Sequence, residues 1–190
     1  MSVNDIICID IETTDLDPTS GDVIQIGAVR IDKTFVIKQK DDFVVSYIKP
    51  LTTHRNPDAM KCNNISEESL AEGCELTEAL EIFENFCGTC KRLAAWGAYF
   101  DIPFLKEQYK KINRPWPFSY ITIDLKTIAT WELAKRNIFT NSLLNTLEKL
   151  NLTFEGTQHD ALADITNTVN IITTLRKQRD IRATKTGWYN

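Results

Sequence analysis

Residues 5–11, Asp5-Ile6-Ile7-Cys8-Ile9-Asp10-Ile11, are short, β-branched and dense in apolar residues, as a strand buried on both faces must be. Asp10 sits inside this stretch and Glu12 follows at i+2. Strand periodicity points Asp10 and Glu12 to one face and Ile9 and Ile11 to the other. An unpaired buried carboxylate costs several kcal/mol even after relaxation, so the pair must be neutralised, paired or bound to metal. No Lys or Arg neighbours them in sequence. Two like charges about 5–7 Å apart repel unless a cation lies between them. On its own this D-x-E pattern leaves open a metal site, a long-range salt bridge or exposure at a strand end.

Outward from this strand, residues 23–31 (VIQIGAVRI) form a second strand of the same kind. Asp15 to Asp22, with Pro18, Ser20 and Gly21, is the loop between them. A third strand is expected near 42–48, ended by Pro50. Ala79, Ile82, Phe83, Phe86, Cys87 and Cys90 make a helical stripe over 77–90, with Thr77 as N-cap. A strand at 93–98 then leads to a helix from Ile102 that holds Pro103 in its first turn. Another strand at 120–125 precedes helices near 126–136 and 142–150, the second capped by Asn141. A last helix runs from about His159 or Asp160 to Gln178. The class is α/β with a mixed sheet.

With 190 residues, 43% hydrophobic and 25% charged, the chain suits one domain with a sizeable core and not a disordered or fibrous protein. We expect a single domain over 1–178 and a basic C-terminal tail over 179–190. No apolar run approaches the ~20 residues that cross a bilayer. The opening MSVNDIICID lacks a basic signal-peptide start, so the expectation is a cytoplasmic protein with no membrane contact. A net charge of −4 argues against holding nucleic acid on a broad basic surface, though not against an enzyme gripping a few phosphates. The charge is uneven. Glu67, Glu68, Glu72, Glu75, Glu78, Glu81 and Glu84 form an acidic block, whereas Arg176, Lys177, Arg179, Arg182 and Lys185 face only Asp180. Five cysteines, Cys8, Cys62, Cys74, Cys87 and Cys90, have no framework spacing. Cys87-Gly-Thr-Cys90 ends a helix instead of starting one and has no second C-x-x-C, which favours reduced structural thiols over redox or zinc chemistry.

Two more constellations stand out. In Trp96-Gly97-Ala98-Tyr99-Phe100-Asp101 a small-residue turn passes from strand to helix, and Asp101 alone would read as a helix cap. In His159-Asp160-Ala161-Leu162-Ala163-Asp164, Asp160 is a natural cap, but Asp164 lies a full turn inside. Thr168, Ile171 and Leu175 follow on its side, beside the apolar face of Ala161, Ile165, Val169 and Ile172. His159, taken singly, reads as a solvated turn residue, as does His54 in its polar loop.

Together, in order, these motifs resemble those of the DEDDh exonucleases, the superfamily of the proofreading exonuclease subunit and ribonuclease T. Asp10-Ile11-Glu12-Thr13-Thr14 matches the first motif, Trp96 to Asp101 the second, and His159 to Asp164 the third. Val23 to Val29 resembles the strand after the first motif, and Asn64-Ile65-Ser66-Glu67-Glu68 the short turn-helix before the long amphipathic helix. The resemblance covers nearly the whole chain and implies a ribonuclease H-like mixed β-sheet flanked by α-helices. Two positions depart from the common pattern: Asp15 where many members carry Gly, and Trp96-Gly97 where many carry His-Asn. The Trp-Gly pair resembles the branch that trims structured RNA 3′ ends.

The resemblance implies 3′–5′ hydrolysis of phosphodiester bonds in single-stranded or 3′-ended DNA or RNA, releasing nucleoside monophosphates. Two Mg²⁺ or Mn²⁺ ions would serve it, since hard oxygen ligands select such ions. Asp10, Glu12 and Asp164 would hold the first metal, Asp10 would bridge to the second, and Asp101 would assist through water. His159 would act as general base, for which an imidazole with an ordinary pKa near ~6.5 is suited. Thr13 would offer a backbone contact to the terminal nucleotide, and Leu16 or Phe100 would wedge against its base. A binding module that lost turnover and an internally cutting nuclease are the competing classes. A homodimer, a polymerase or another protein partner stays compatible with the motifs.

Overall fold

The computed structural model describes residues 5–32 and 43–186. Its centre is β1 (Ile6–Thr13), paired antiparallel with β2 (Val23–Ile31) from Ile6↔Ile31 to Glu12↔Gln25. The pairing slips by one residue between Glu12 and Thr13. A short β3 (Phe43–Val45) continues the antiparallel side. On the other side β4 (Leu93–Ala95) and β5 (Thr122–Asp124) run parallel to β1. The five-stranded order is β3-β2-β1-β4-β5, the mixed α/β sheet expected.

The alternation along β1 divides the molecule. Ile7, Ile9 and Ile11 face one core with α3 (Leu76–Cys87) and α4 (Ala98–Lys111). Ile6 and Cys8 face a second core with α5 (Leu125–Ala134), α6 (Leu143–Lys149) and α7 (Ala161–Thr186). Before α3 come two short helices, α1 (Pro57–Asn63) and α2 (Glu67–Ala71). Asp10 and Glu12 continue the even-numbered row of β1, so they lie on the α7 side.

Several boundaries differ from the sequence expectation. The third strand is three residues long, followed by an isolated bridge from Ile48 to Cys74; residue 42 lies outside the described residues. The fourth and fifth strands stop at Ala95 and Asp124. Helix α3 starts at Leu76 with Glu75 in the cap position and no side-chain cap bond, so Thr77 is not its N-cap. Ser142, not Asn141, caps α6 by accepting from the Asn145 N–H. Helix α4 begins at Ala98, four residues before Ile102. Gly97, at φ 87°, turns the chain in the left-handed region that favours glycine. The cap itself comes from afar: Asp124 accepts from the Ala98 N–H at 3.0 Å and from the Thr127 N–H at 2.7 Å, serving α4 and α5 at once. Helix α7 continues past Gln178 to Thr186, so residues 179–186 extend a helix.

The acidic block is solvent-exposed except for half-buried Glu84, and part of it is paired. Glu67 pairs with Arg55, Glu75 with Lys49, and Glu81 and Glu84 with Arg114. All five cysteines are free, with Cys8, Cys87 and Cys90 buried, Cys74 partly buried and Cys62 exposed. Among the described residues, no helix is long and apolar enough to cross a membrane.

Candidate active site

β1 presents Asp10 and Glu12, both half-buried, opposite Gly27 and Gln25 of β2. Gly27 is required by space. A Cβ there would lie 2.3–2.5 Å from backbone atoms of Ala161 and Leu162, so the first turn of α7 rests directly on β2. Gln25 fastens that turn. Its Oε1 accepts from the Ala161 N–H at 2.8 Å, and its Nε2 donates to Asp160 at 3.3 Å. Asp160 also accepts from the Ala163 N–H at 3.0 Å, closing the helix start.

One turn further, Asp164 is carried to the carboxylates of β1. His159 precedes the helix at φ 61°, an uncommon conformation for a residue with a side chain. Its backbone N–H donates to Asp164 at 3.2 Å, leaving the imidazole exposed. One donor atom each from Glu12, His159 and Asp164 lies within 4.8 Å of the others. Asp101 enters from the first turn of α4 and is buried. It is therefore an inward-facing carboxylate and not the cap of that helix.

The electrostatics are those of crowded, unneutralised acids. Burial pushes the Asp10 carboxyl well above its usual range, and the charges of Asp101, Glu12 and Asp164 push it further. Burial, then Asp164 and Asp101, raises Glu12 to about 9. Asp101 is raised by burial against opposing backbone hydrogen bonds. Asp164 rises to about 6 through burial, partly offset by His159. None of the four has a Lys or Arg partner among the described residues. The donors are hard oxygens converging from three elements, a set that fits divalent cations such as Mg²⁺ or Mn²⁺.

The other expected site residues divide. Thr13 is buried at the end of β1, its hydroxyl donating to the Asp15 carbonyl at 2.6 Å. Leu16 is 63% exposed on the following loop. Phe100 is half-buried, its ring tilted on Phe104 at 4.8 Å. A cleft of about 310 Å³ lies beside the cluster, lined by His159 and Asp164 with Leu143, Leu144, Phe154 and Gln158; that size falls at the lower end of small-ligand pockets, roughly 300–1,000 Å³.

Sequence reasoning missed Gln25 and Gly27, although a polar residue and a glycine inside an apolar strand were a visible signal. It also missed Cys62, for which there was none. Cys62 Sγ lies 3.4 Å from His159 Nδ1 and 3.5 Å from Nε2.

A model of the exonuclease family that includes ribonuclease T matches residues 7–172. A PolC-type DNA polymerase III of Mycoplasma genitalium is 30% identical over 150 residues, 78% of this chain and 10% of the polymerase. The Streptococcus agalactiae counterpart is 31% identical over 110 residues, covering 57% of this chain and 7% of its own length. The chain thus spans a tenth or less of these polymerases. Among solved structures, cell-death related nuclease 4 superposes with a TM-score of 0.79 at 20% identity, over 92% of this chain and 64% of that one. The nuclease domain of 3′hExo, a DEDDh family member bound to rAMP, gives 0.74 at 18%, over 92% of both chains. E. coli exonuclease I with a dA16 oligonucleotide gives 0.76 at 19%, over 91% of this chain and 41% of that one. The fold is that of ribonuclease H-like exonucleases. The chain belongs to the exonuclease family that includes ribonuclease T.

Proposed function

We propose that the protein is a metal-dependent 3′–5′ exonuclease that releases nucleoside monophosphates from a free 3′ end. The observation that carries this reading is the convergence of four carboxylates with no Lys or Arg partner among the described residues, with an exposed imidazole at their edge. Asp10, Glu12 and Asp164 would hold one divalent cation, Mg²⁺ or Mn²⁺, and Asp10 with Asp101 a second, Asp101 through water. When bound, such a pair lowers the pKa of water and offsets the charge that builds on the phosphate and leaving oxygens. His159 takes the proton of the attacking water on its ring, since its backbone is anchored to Asp164 while the imidazole stays exposed at the edge of the acids. Thr13 contacts the terminal nucleotide through its backbone, and exposed Leu16, with Phe100, packs against the last base. The burial that raises the carboxyl pKa values also strengthens their grip on cations, by excluding competing water.

Both sugars are represented among the relatives: E. coli exonuclease I is bound to a DNA oligonucleotide, and a 3′-exonuclease recognises a histone mRNA stem-loop. The Trp96-Gly97 pair favours RNA 3′-end trimming as the second reading. Matched single-stranded DNA, duplex DNA and RNA, each labelled at the 5′ end and incubated with magnesium, test both. The expected result is a ladder shortened from the 3′ end with mononucleotide release, slowed or stopped by a 3′-phosphate. Equal degradation of blocked and free substrates would instead show an internal cutter.

A further inference from the structure

Cys62 is the one exposed cysteine among the described residues, and it lies against His159. We infer that Cys62 and His159, with the Glu12 and Asp164 carboxylates, form a soft-metal site in which Zn²⁺ arrests the enzyme.

The distances fit that chemistry. Tetrahedral zinc takes thiolate sulfur at ~2.3 Å and imidazole nitrogen at ~2.0–2.1 Å, which sets the sulfur–nitrogen edge at about 3.5 Å. Cys62 Sγ stands 3.4 and 3.5 Å from the two ring nitrogens. A sulfur equally far from both nitrogens lies off their in-plane lone pairs, so the exposed ring must turn before either nitrogen shares a metal with it. The Glu12 and Asp164 oxygens lie within 4.8 Å of a His159 nitrogen; Cys62 Sγ stands outside that cluster, so His159 is the shared donor and the thiol must swing inward for the two carboxylates to supply the remaining corners. Their charge also reaches the thiol, which is held above its ordinary range by burial first, then by Glu12 and Asp164. Zinc would replace the thiol proton, releasing it to solvent.

The cysteine is held in place. It sits in the last turn of α1, and the next residue, Asn63, donates from its side chain to the Thr13 carbonyl at 3.0 Å. That bond pins the end of α1 to the end of β1. At the other end of α1, its N-cap Asn56 donates to Asp15 at 2.9 Å.

Sulfur and imidazole select against the activating ions. Mg²⁺ requires hard oxygen, whereas zinc accepts sulfur, nitrogen and oxygen together and binds such sites more tightly than Mn²⁺. Zinc seated here would occupy the ring lone pair of His159 and draw Glu12 and Asp164 from their other partners. The inhibitory consequence rests on the exonuclease reading above; the metal site itself does not.

The test uses cobalt as a spectroscopic stand-in for zinc, added to the full chain after chelator treatment. A near-ultraviolet sulfur-to-cobalt charge-transfer band is expected in the parent protein and in Cys74→Ser, and absent in Cys62→Ser. Zinc should displace the cobalt and erase the band. In nuclease assays at saturating magnesium, Cys62→Ser should keep the zinc-free rate but need about 10–100-fold more zinc for half-inhibition, the scale on which one supporting group changes metal affinity. No cobalt–sulfur band, or a band that survives in Cys62→Ser, overturns the site. Equal zinc sensitivity of both proteins overturns the inhibition. A cobalt band in a protein without nuclease activity would uphold the site and count against the exonuclease reading alone.

Discussion

Asp10 and Asp15 lie five residues apart, one on the central strand and one on the loop it enters, yet their surroundings are opposite. Asp15 is surrounded by donors: the Ser20 hydroxyl at 2.6 Å, the Leu16 N–H at 2.7 Å, His54 at 2.8 Å and Asn56 at 2.9 Å. The Ser20 and Leu16 bonds hold its carboxyl well below the usual range. Asp22, at the far end of the same loop, is likewise occupied, by Lys111 at 2.9 Å and by the Thr52 N–H and hydroxyl at 2.8 Å. Asp10 faces other acids instead. A carboxylate that organises a loop is satisfied by the protein itself, whereas one kept for a cation is left in want of it. The commonly glycine position held by Asp15 is thus a structural device, and Asp15 differs from the D-x-E pair in kind.

The largest effect should come from Asp10→Asn. It removes a ligand while keeping the shape, so turnover should drop by several orders of magnitude. In chelator the variant should melt no lower than the parent, and higher if relief of like charge dominates. Retained turnover would break the contrast drawn above.

Next is His159→Ala. Single-turnover cleavage should fall by about 10²–10⁴, the usual worth of a general base, with magnesium and oligonucleotide affinity nearly unchanged. An unchanged rate would make His159 a solvated turn residue, and lost magnesium binding would make it a ligand.

Gly27→Ala sharpens the comparison without touching any acid. The new methyl must push α7 off β2, at about 1–3 kcal/mol by the usual scale of overpacking. Nuclease activity should fall with it because Asp164 retreats from Glu12. Chemical denaturation and rate measured together decide this, and full activity in a well-folded variant would argue that α7 has slack.

The smallest effect is a pair of opposed pH slopes. Glu12 near 9 and Asp164 near 6 hold protons in the folded state that the unfolded chain has already lost. In chelator, stability should therefore fall as pH rises from about 5 to 9, and magnesium should flatten that limb. Asp15 acts the other way. Its lowered carboxyl contributes stability above the unfolded pKa of about 3.9, and loses it as pH drops further. Melting temperatures of the parent and Asp15→Ala separate the two limbs: the variant should be less stable at neutral pH and shallower in acid.

Much of this was legible in the chain. The even–odd alternation of residues 6–12 placed Asp10 and Glu12 on one face, and the long helix carrying Asp164 had an unambiguous apolar side. Three regions were not, for physical reasons. The start of α4 depends on a cap from Asp124, 26 residues away, which no local pattern encodes. Helix α1 has no counterpart among the expected elements, although Asn56-Pro57-Asp58 offers a cap, a first-turn proline and an acid; its seven residues are too few for periodicity to register. The meeting of Cys62 with His159 joins positions 97 apart in the chain, and only the docking of α1 brings it about.

The seat of α7 on Gly27 also sets a timetable. The acids of β1 are synthesised before Asp101, which follows some ninety residues later, and His159 and Asp164 come only with α7. Until that helix docks on β2, Glu12 lacks its nearest partners and the cluster is incomplete. A nascent chain, surrounded by ribosomal and messenger RNA, thus carries these residues as separate pieces until α7 has emerged and docked.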